Sequence, residues 1–390
     1  MKTKWRLPRG VDELLPPDAW ELETLRRRIL DLFVSWGFEY IEPPIIEYLD
    51  ALLVGSGEDL DLQTLKVVDQ FTGRQLGVRA DMTSQAVRVD AHSLVTDDIQ
   101  RLCYAGNVVF ANPQVSGTSR VPYKAGAEIY GSSSLSADAE IVNLMLATVD
   151  AAGIEHPVLL LGHMGIYRGL VEALKANGES VDEAELFACI QRKSKSDIAE
   201  RLSSSSLARM LADLPLFMGD VDTIEAARKR FEAAPESVQT ALAELEALVA
   251  LVRAQHDDVV IRVDVAELSG YGYHNGPVFA VYHPEHGRAL AQGGRYDGVG
   301  VAFGRARPAT GFDVDLKSLL AGREAEEIIF APFTDDAQER ADLMHTVESL
   351  RQTGRRVRCA LGAGEVVPSG CSQQLTMQAD GWRIEVIHRS

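Results

Sequence analysis

The sequence predicts an α+β protein: an antiparallel sheet with flanking helices, interrupted by a helical insertion and followed by a small α/β unit. Three observations predict it. Short β-type segments crowd residues 64–131 and return after residue 257. Between them, over 165–255, glycine thins out, Ala and Leu rise, and apolar residues recur at helical spacing. Beyond residue 327 a strand–helix–strand pattern stands apart. The expected division is a discontinuous core of residues 1–164 and 256–322, a helical insertion at 165–255 and a C-terminal domain at 323–390. A lone unit as small as the last has little core of its own and is expected to lean on the rest.

Each element follows from local pattern. Leu22, Leu25, Ile29, Leu32 and Phe33 keep the 3–4 spacing of an amphipathic helix. Gly37 ends it, because glycine takes the left-handed C′ conformation without strain. Alternation through Phe38-Glu39-Tyr40-Ile41 gives a strand, and Pro43-Pro44 closes regular pairing. Residues 65–69, the turn Thr72-Gly73-Arg74 and residues 75–79 make a hairpin. Asp81-Met82-Thr83-Ser84 reads as a helix start. Strands at 103–110 and 124–131 pair across a Pro/Gly/Ser/Thr loop at 111–123. Ser136 is expected to cap the next helix, with Asp138 and Glu140 in the first turn, where acids suit the dipole, and Ile141, Met145 and Val149 on the buried stripe. Residues 158–162 form a continuous apolar strand.

In the insertion, Val238, Leu242, Leu245, Val249 and Val252 make one buried stripe, and the serine run 203–206 and Pro215 break the region up. Strands return at 259–264, 276–282 and 288–292. The last runs into Gly293-Gly294-Arg295-Tyr296-Asp297-Gly298, and 309–315 leads into a helical 316–320. A charged linker at 322–327 precedes a strand at 328–332, a helix at 335–350, a strand at 356–360 and a weak final strand at 384–387.

Composition narrows the function. Among 390 residues, Asp and Glu outnumber Lys and Arg by 57 to 39, a net charge of −18. Such an excess disfavours non-specific nucleic-acid binding, which needs cations to displace the phosphate counterions, and docking on anionic lipid. No apolar run reaches the length of a membrane span or of a signal peptide. Cys103, Cys189, Cys359 and Cys371 form no CxxC pair, so neither a metal site nor a disulfide framework is expected, and a reducing cytoplasm suits the chain.

From about Arg9 to Leu320 the chain resembles the histidyl-tRNA synthetase branch of the class II synthetases. The resemblance implies their antiparallel sheet with flanking helices. Gly37-Phe38 to Glu42-Pro43-Pro44 is similar to motif 1, which builds the dimer interface of that fold. Arg79-Ala80-Asp81-Met82-Thr83 stands where the branch has Arg-Pro-Glu-Gly-Thr, and Tyr104 to Gly131 tracks motif 2 without a gap. Gly270-Tyr271-Gly272-Tyr273-His274-Asn275-Gly276 stands at the histidine-binding loop, Gly293 to Gly298 matches a branch motif, and Gly311-Phe312-Asp313 onward resembles motif 3. Each piece is a weak signal; their order and spacing together are strong.

The departures matter most. Activation of an amino acid needs arginines on the ATP α-phosphate, because a guanidinium fork meets phosphate oxygens in pairs. Phe110 stands at the motif 2 arginine, Asn112 at the following acid, Lys317-Ser318 at the motif 3 Glu-Arg and Ser269 at the loop arginine. Adenylation is therefore expected to be absent, and no residue is assigned as catalytic. The amino-acid pocket is partly kept. Asp81 and Thr83 offer a carboxylate and a hydroxyl for an α-amino group. Glu128, Tyr273 and His274 offer partners for an imidazole. Lys124 stands where the branch has Gln, and His274 where it has Tyr.

Lost activation with a half-kept pocket resembles the HisZ family, the synthetase-like regulatory subunits of ATP phosphoribosyltransferase. That resemblance implies a short-form catalytic subunit as partner in a hetero-octamer, self-association as a dimer, histidine as feedback effector and the first step of histidine biosynthesis. It implies no cofactor, no metal, no tRNA partner and no membrane.

Simpler readings stand beside these. Asp81 is also a natural cap for the helix it opens. Arg295-Tyr296-Asp297 also suits an ion-pair and turn device. A ligand amine or a buried arginine answers Glu128, since an unpaired acid on a central strand is costly. Tyr273 and His274 also suit a core. The run Arg228-Lys229-Arg230 reads as a solvated helix face. At the level of function, an authentic histidyl-tRNA synthetase and a stand-alone histidine sensor remain alternatives.

Overall fold

The computed structural model describes residues 5–54, 58–112, 118–202, 204–268, 272–322 and 327–387. Ser203, Ser269, Gly270, Tyr271, residues 113–117 of the motif 2 loop and 323–326 of the linker lie outside the described residues. The chain forms two compact units, Met1–Leu14 with Asp18–Ala321, and Leu15–Pro17 with Gly322–Ser390.

The first unit opens on α1 (Asp18–Ser35), with Asp18 and Glu21 in its first turn and Leu25, Ile29 and Phe33 buried. Gly37, at φ +85°, turns the chain out of it as expected. β1 (Glu39–Tyr40) and β2 (Ile46–Tyr48) follow, then the short helices α2 (Leu49–Leu52) and α3 (Glu58–Gln63). β3 (Leu65–Val68) and β4 (Gln75–Val78) make the expected antiparallel hairpin. The prolines end β1, but the chain re-enters pairing at Ile46, where β2 joins β4. α4 (Thr83–Arg88) continues into a π-helical turn, Val89–Ser93. β5 (Gln100–Asn107) and β6 (Tyr123–Tyr130) pair antiparallel. α5 (Leu135–Ala151) follows, then β7 (Val158–His163).

The stretch after β7 holds α6 (Met164–Ala176), α7 (Glu183–Gln191), α8 (Lys195–Arg201), α9 (Ser206–Asp213), β8 (Met218–Gly219), α10 (Thr223–Arg230) and α11 (Glu236–Arg253). β9 (Val260–Asp264), β10 (Pro277–Tyr282), β11 (Ala291–Arg295) and β12 (Ala309–Asp315) complete the unit.

Nine strands form one sheet in the order β1-β5-β6-β12-β11-β10-β7-β9-β8, and β2-β4-β3 form a second. The large sheet is mixed rather than wholly antiparallel: β1 runs parallel to β5, and β7 parallel to β9. Topology explains the second case. Parallel neighbours need a long crossover, and the helices α6–α11 are that crossover. Lys193 fastens it to the sheet, its ammonium 2.6 Å from buried Asp264 on β9 and 2.8 Å from the Ala266 carbonyl.

One apolar core lies between the sheet and α1, α5, α6 and α11. Ile141, Met145 and Val149 of α5 are fully buried, as are Val238, Leu242, Leu245 and Val252 of α11. The Phe33 and Phe312 rings meet edge to face at 5.8 Å. The cap of α5 differs from expectation. It is Ser134, whose hydroxyl accepts from the Ser136 N–H at 3.2 Å. β11 also sits three residues later than its apolar pattern suggests. Gly293 and Gly294 lie inside the strand, because a Cβ on residue 293 would come within 2.1 Å of the Gly311 carbonyl oxygen.

In the second unit, β13 (Ile328–Ala331), α12 (Ala337–Gln352), β14 (Arg356–Cys359), β15 (Gln373–Gln378) and β16 (Gly381–Val386) build a four-stranded sheet ordered β14-β13-β15-β16. β15 escapes sequence reading because Gln-Gln-Leu-Thr-Met-Gln carries only two apolar residues, of which only Leu375 is fully buried. Ile329, Ala331, Leu343, Val347 and Leu375 form its small core. Among the described residues, no helix is long and apolar enough to cross a membrane.

Candidate amino-acid site on the central sheet

Strand alternation puts Lys124, Gly126 and Glu128 of β6 on one face of the sheet. Register places Tyr104 of β5 opposite Gly126, and Gly311 of β12 opposite Glu128. Asp313 also lies opposite Gly126, and Gly294 of β11 opposite Gly311. The glycines are spatial requirements. A Cβ on residue 126 would fall 2.6 Å from the Tyr104 ring, and one on residue 311 would fall 1.6 Å from Glu128 Oε2. Replacing Gly311 by alanine is therefore expected to displace the Glu128 carboxyl. The sheet should fold with reduced thermal stability and altered Tyr104 and Tyr296 resonances; unchanged spectra would contradict this packing.

Glu128 is 1% exposed at the centre of this face. Its Oε1 accepts from the Tyr104 hydroxyl at 2.8 Å and its Oε2 from the Tyr296 hydroxyl at 2.6 Å. The Tyr104 hydroxyl also lies 3.3 Å from Thr83 Oγ1. Burial pushes the Glu128 carboxyl up to about 8; the tyrosine hydrogen bonds oppose the rise and the charges of Asp81 and Asp313 add to it. Burial likewise raises the Tyr104, Tyr130 and Tyr296 hydroxyls well above their ordinary range.

Asp81 precedes α4. Its Oδ1 accepts from the Met82 N–H at 2.7 Å, so it does shape the helix start, while its charge bears on Glu128, Asp313, Lys124 and Tyr273. Asp313 is raised by burial, against the pull of Lys124, whose Nζ lies 2.7 Å from Oδ1. Burial works against the Lys124 charge, yet Asp313 and Asp81 outweigh it and hold the ammonium above its ordinary value.

Tyr273 and His274 stack at 4.1 Å between ring centroids, and the Tyr273 ring approaches Tyr296 edge-on at 6.3 Å. Tyr273 is 44% exposed, whereas His274 is 5% exposed and closes against Gly294, where a Cβ would touch its ring at 3.0 Å. All six residues singled out from sequence, Asp81, Thr83, Lys124, Glu128, Tyr273 and His274, thus lie near one another about one face of the central sheet, hereafter the recess. Sequence reasoning missed Tyr104, Tyr296 and Asp313 as members. An acid set between Phe312 and Val314 on an apolar strand was the available signal for Asp313.

Arg295 and Tyr296 divide the two readings of their motif. Arg295 is an ion-pair device, with Nη2 2.8 Å from Asp138 Oδ2 and Nη1 3.2 Å from Asp297 Oδ1. Tyr296, next in sequence, faces Glu128.

The recess brings together the carboxyl groups of Asp81, Glu128 and Asp313, the hydroxyls of Tyr104, Tyr130, Tyr273 and Tyr296, and the Lys124 ammonium. Carboxylates accept hydrogen bonds, so the set suits a small ligand rich in N–H donors. It does not suit polyphosphate. Phe110, in place of the motif 2 arginine, is buried in an apolar cluster with Met82, Tyr104 and Tyr130. Lys317 instead reaches Asp12 at 3.0 Å, and the Ser318 hydroxyl donates to the Asp315 carbonyl at 2.6 Å. Ser269 lies outside the described residues. Among the described residues no group of three or more His, Cys, Asp or Glu is placed to hold a metal ion.

Comparison with known proteins gives the family. Residues 10–319 match the histidyl-tRNA synthetase family model, and residues 326–385 match the model of the ATP phosphoribosyltransferase subunit HisZ C-terminal domain. The second match decides between the synthetases and their regulatory relatives. The chain belongs to the ATP phosphoribosyltransferase regulatory subunit family. Members of that family from Stutzerimonas stutzeri and Chromohalobacter salexigens are each 45% identical to it, covering 98% of both chains. A Bacillus halodurans structure described as an ATP phosphoribosyltransferase regulatory subunit/histidyl-tRNA synthetase superposes with a TM-score of 0.81 at 27% identity. It covers 93% of this chain and 95% of its own. A histidyl-tRNA synthetase from Nostoc sp. PCC 7120 shares the fold, with a TM-score of 0.78 at 19% identity over 97% of this chain and 93% of its own. The chain thus shares its fold with both the regulatory subunit/synthetase structure and the synthetase.

Proposed function

We propose that this chain is the non-catalytic regulatory subunit of a short-form ATP phosphoribosyltransferase and binds histidine as feedback inhibitor in the recess around Glu128. Family membership supports the regulatory role, and with it a catalytic partner and a place in histidine biosynthesis. The histidine site rests on one observation: a buried carboxyl, Glu128, held by two tyrosine hydroxyls and flanked by Asp81 and Asp313. The α-ammonium of histidine faces Asp81 and Thr83, its imidazole N–H faces Glu128, and Tyr273 and His274 close over the ring. The ligand must bind the active and inhibited assemblies with different affinity, since equal affinity shifts no equilibrium.

In this reading the chain dimerises through its motif 1 side and joins the catalytic chain as a hetero-octamer, four copies of each. Residues 1–164 and 256–322 serve as the synthetase-like core, 165–255 as an insertion, and 323–390 as a separate domain. The free cysteines suit the cytoplasm. No tRNA is a partner, in keeping with the −18 charge.

Reconstitution tests the whole. Mixed with a short-form catalytic subunit, the chain is expected to form a complex, to stimulate phosphoribosyl-ATP formation, and to confer inhibition by histidine. A chain that neither binds nor stimulates the catalytic subunit refutes the regulatory role. ATP–pyrophosphate exchange with histidine would instead make it a synthetase.

A further inference from the structure

An amino acid brings a carboxylate as well as an ammonium, and a recess lined by Asp81, Glu128 and Asp313 repels it unless one cation answers it. The cations near this face are few. Arg79 is 4% exposed and spends Nε on the Asn107 carbonyl at 2.8 Å and Nη1 on the Pro43 carbonyl at 2.6 Å, and its Nη2 packs on Gly106, across the strand pair from Lys124. Arg288 lies 3.4 Å from Asp315, with its side chain 48% exposed. Lys124 is different. It stands on the same strand and the same face as Glu128, four residues away, or about 13 Å along the strand. The open position of Gly126 and the Tyr104 ring fill the interval as a floor. Its ammonium has three donors, and the Asp313 carboxylate at 2.7 Å takes one.

We infer that Lys124, steadied by Asp313, is the carboxylate receptor of this recess and makes it specific for a free amino acid that carries an N–H donor side chain. The inference rests on the histidine reading above and assigns the opposite ends of that ligand: side-chain N–H on Glu128, carboxylate on Lys124, ammonium toward Asp81 between them. It also accounts for a half-buried lysine on a face that needs no phosphate cation. Asp313 keeps the ammonium charged and fixes its place on the strand pair, so the receptor is formed before the ligand arrives.

Calorimetric titration of the full chain with histidine and with histidinol, which keeps the ammonium and imidazole but has no carboxylate, tests this. The wild-type chain is expected to bind histidine at least tenfold more tightly than histidinol, the scale of one charge-assisted hydrogen bond. Lys124→Gln should remove that preference by weakening histidine alone, and Lys124→Arg should restore part of it. Lys124→Gln leaves Asp313 buried without its cation, so the neutral pair Lys124→Gln/Asp313→Asn serves as a second variant and should show the same loss of preference. A wild-type chain that binds histidine and histidinol equally, or a Lys124→Gln variant that weakens both alike, overturns the role of Lys124 and leaves the histidine site standing. A wild-type chain that binds neither overturns the histidine reading itself, and the Lys124 role with it.

Discussion

Glu128→Gln is expected to lower histidine affinity roughly 10- to 100-fold, the cost of one hydrogen bond to a charged acceptor, while making the ligand-free protein more stable at pH 8. Both effects follow from one titration. The ordinary value for a glutamate is 4.5, and burial moves Glu128 to about 8. The folded state therefore holds a proton between pH 4.5 and 8 that the unfolded state has released, and stability falls as pH rises through that window. Glutamine has the same shape, keeps an acceptor for one tyrosine and never ionises, so it removes the slope. The gain at pH 8 should be on the order of 1–3 kcal/mol, the desolvation of one buried polar group. Thermal melts at pH 5 and pH 8 measure it: the wild type is expected to lose stability between them, and the variant to lose less. Binding supplies an independent check. A ligand N–H favours the ionised carboxylate, so histidine should expel protons from the wild type at pH 7 and fewer from Glu128→Gln. Titrations in two buffers of different ionisation enthalpy read this directly. Proton uptake on binding would place the ligand elsewhere.

The helices α1 and α11 were legible from apolar stripes at helical spacing, and the hairpin β3–β4 from its turn residues. Strand direction was not legible. Nothing in residues 158–162 or 259–264 states that they run parallel; that follows from a crossover spanning six helices. The position of β11 was misread because glycine signals both strand ends and close backbone approach, and at Gly293 the second holds. The recess was partly legible. Alternation alone puts Lys124 and Glu128 together, and motif order adds Asp81, Thr83, Tyr273 and His274. Tyr104 and Tyr296 were hidden because a tyrosine on an apolar strand reads as core, and both are indeed buried; only the register across β5, β6, β12 and β11 aims their hydroxyls at one carboxyl. The same register limits what family likeness can say. Sequence likeness suggests that Phe110 stands at an arginine position; the structure adds that it lies in one buried apolar cluster with Met82 and Tyr104.

Arg295→Ala should be the most damaging single change in the first unit, costing roughly 3–5 kcal/mol. The guanidinium is 6% exposed and joins three parts of the chain. Its Nε and Nη2 meet Asp138 on the first turn of α5 at 3.1 and 2.8 Å. Nη1 donates to the Ser132 carbonyl at 3.0 Å and to Asp297 Oδ1 at 3.2 Å, and Nη2 to the Ser134 carbonyl at 3.2 Å. Asp138 is 1% exposed, and burial already raises its carboxyl against the opposing pull of Arg295. Removing the arginine strands that carboxylate and takes a donor from the Ser132 carbonyl, while the Ser134 carbonyl keeps the Ala137 N–H at 2.9 Å. Asp138 must then rise further, so the variant should recover stability relative to the wild type as pH falls and the carboxyl takes a proton. Asp138→Asn placed on the Arg295→Ala background should restore part of the loss at pH 7, because it removes the stranded charge. A purely steric role for Arg295 predicts no such recovery and no pH dependence. Urea melts of the wild type and both variants at pH 5 and pH 7 separate the two. Because Tyr296 follows directly on β11, a partial rescue that restores stability should also restore the Tyr296–Glu128 hydrogen bond, and with it the raised titration of Glu128.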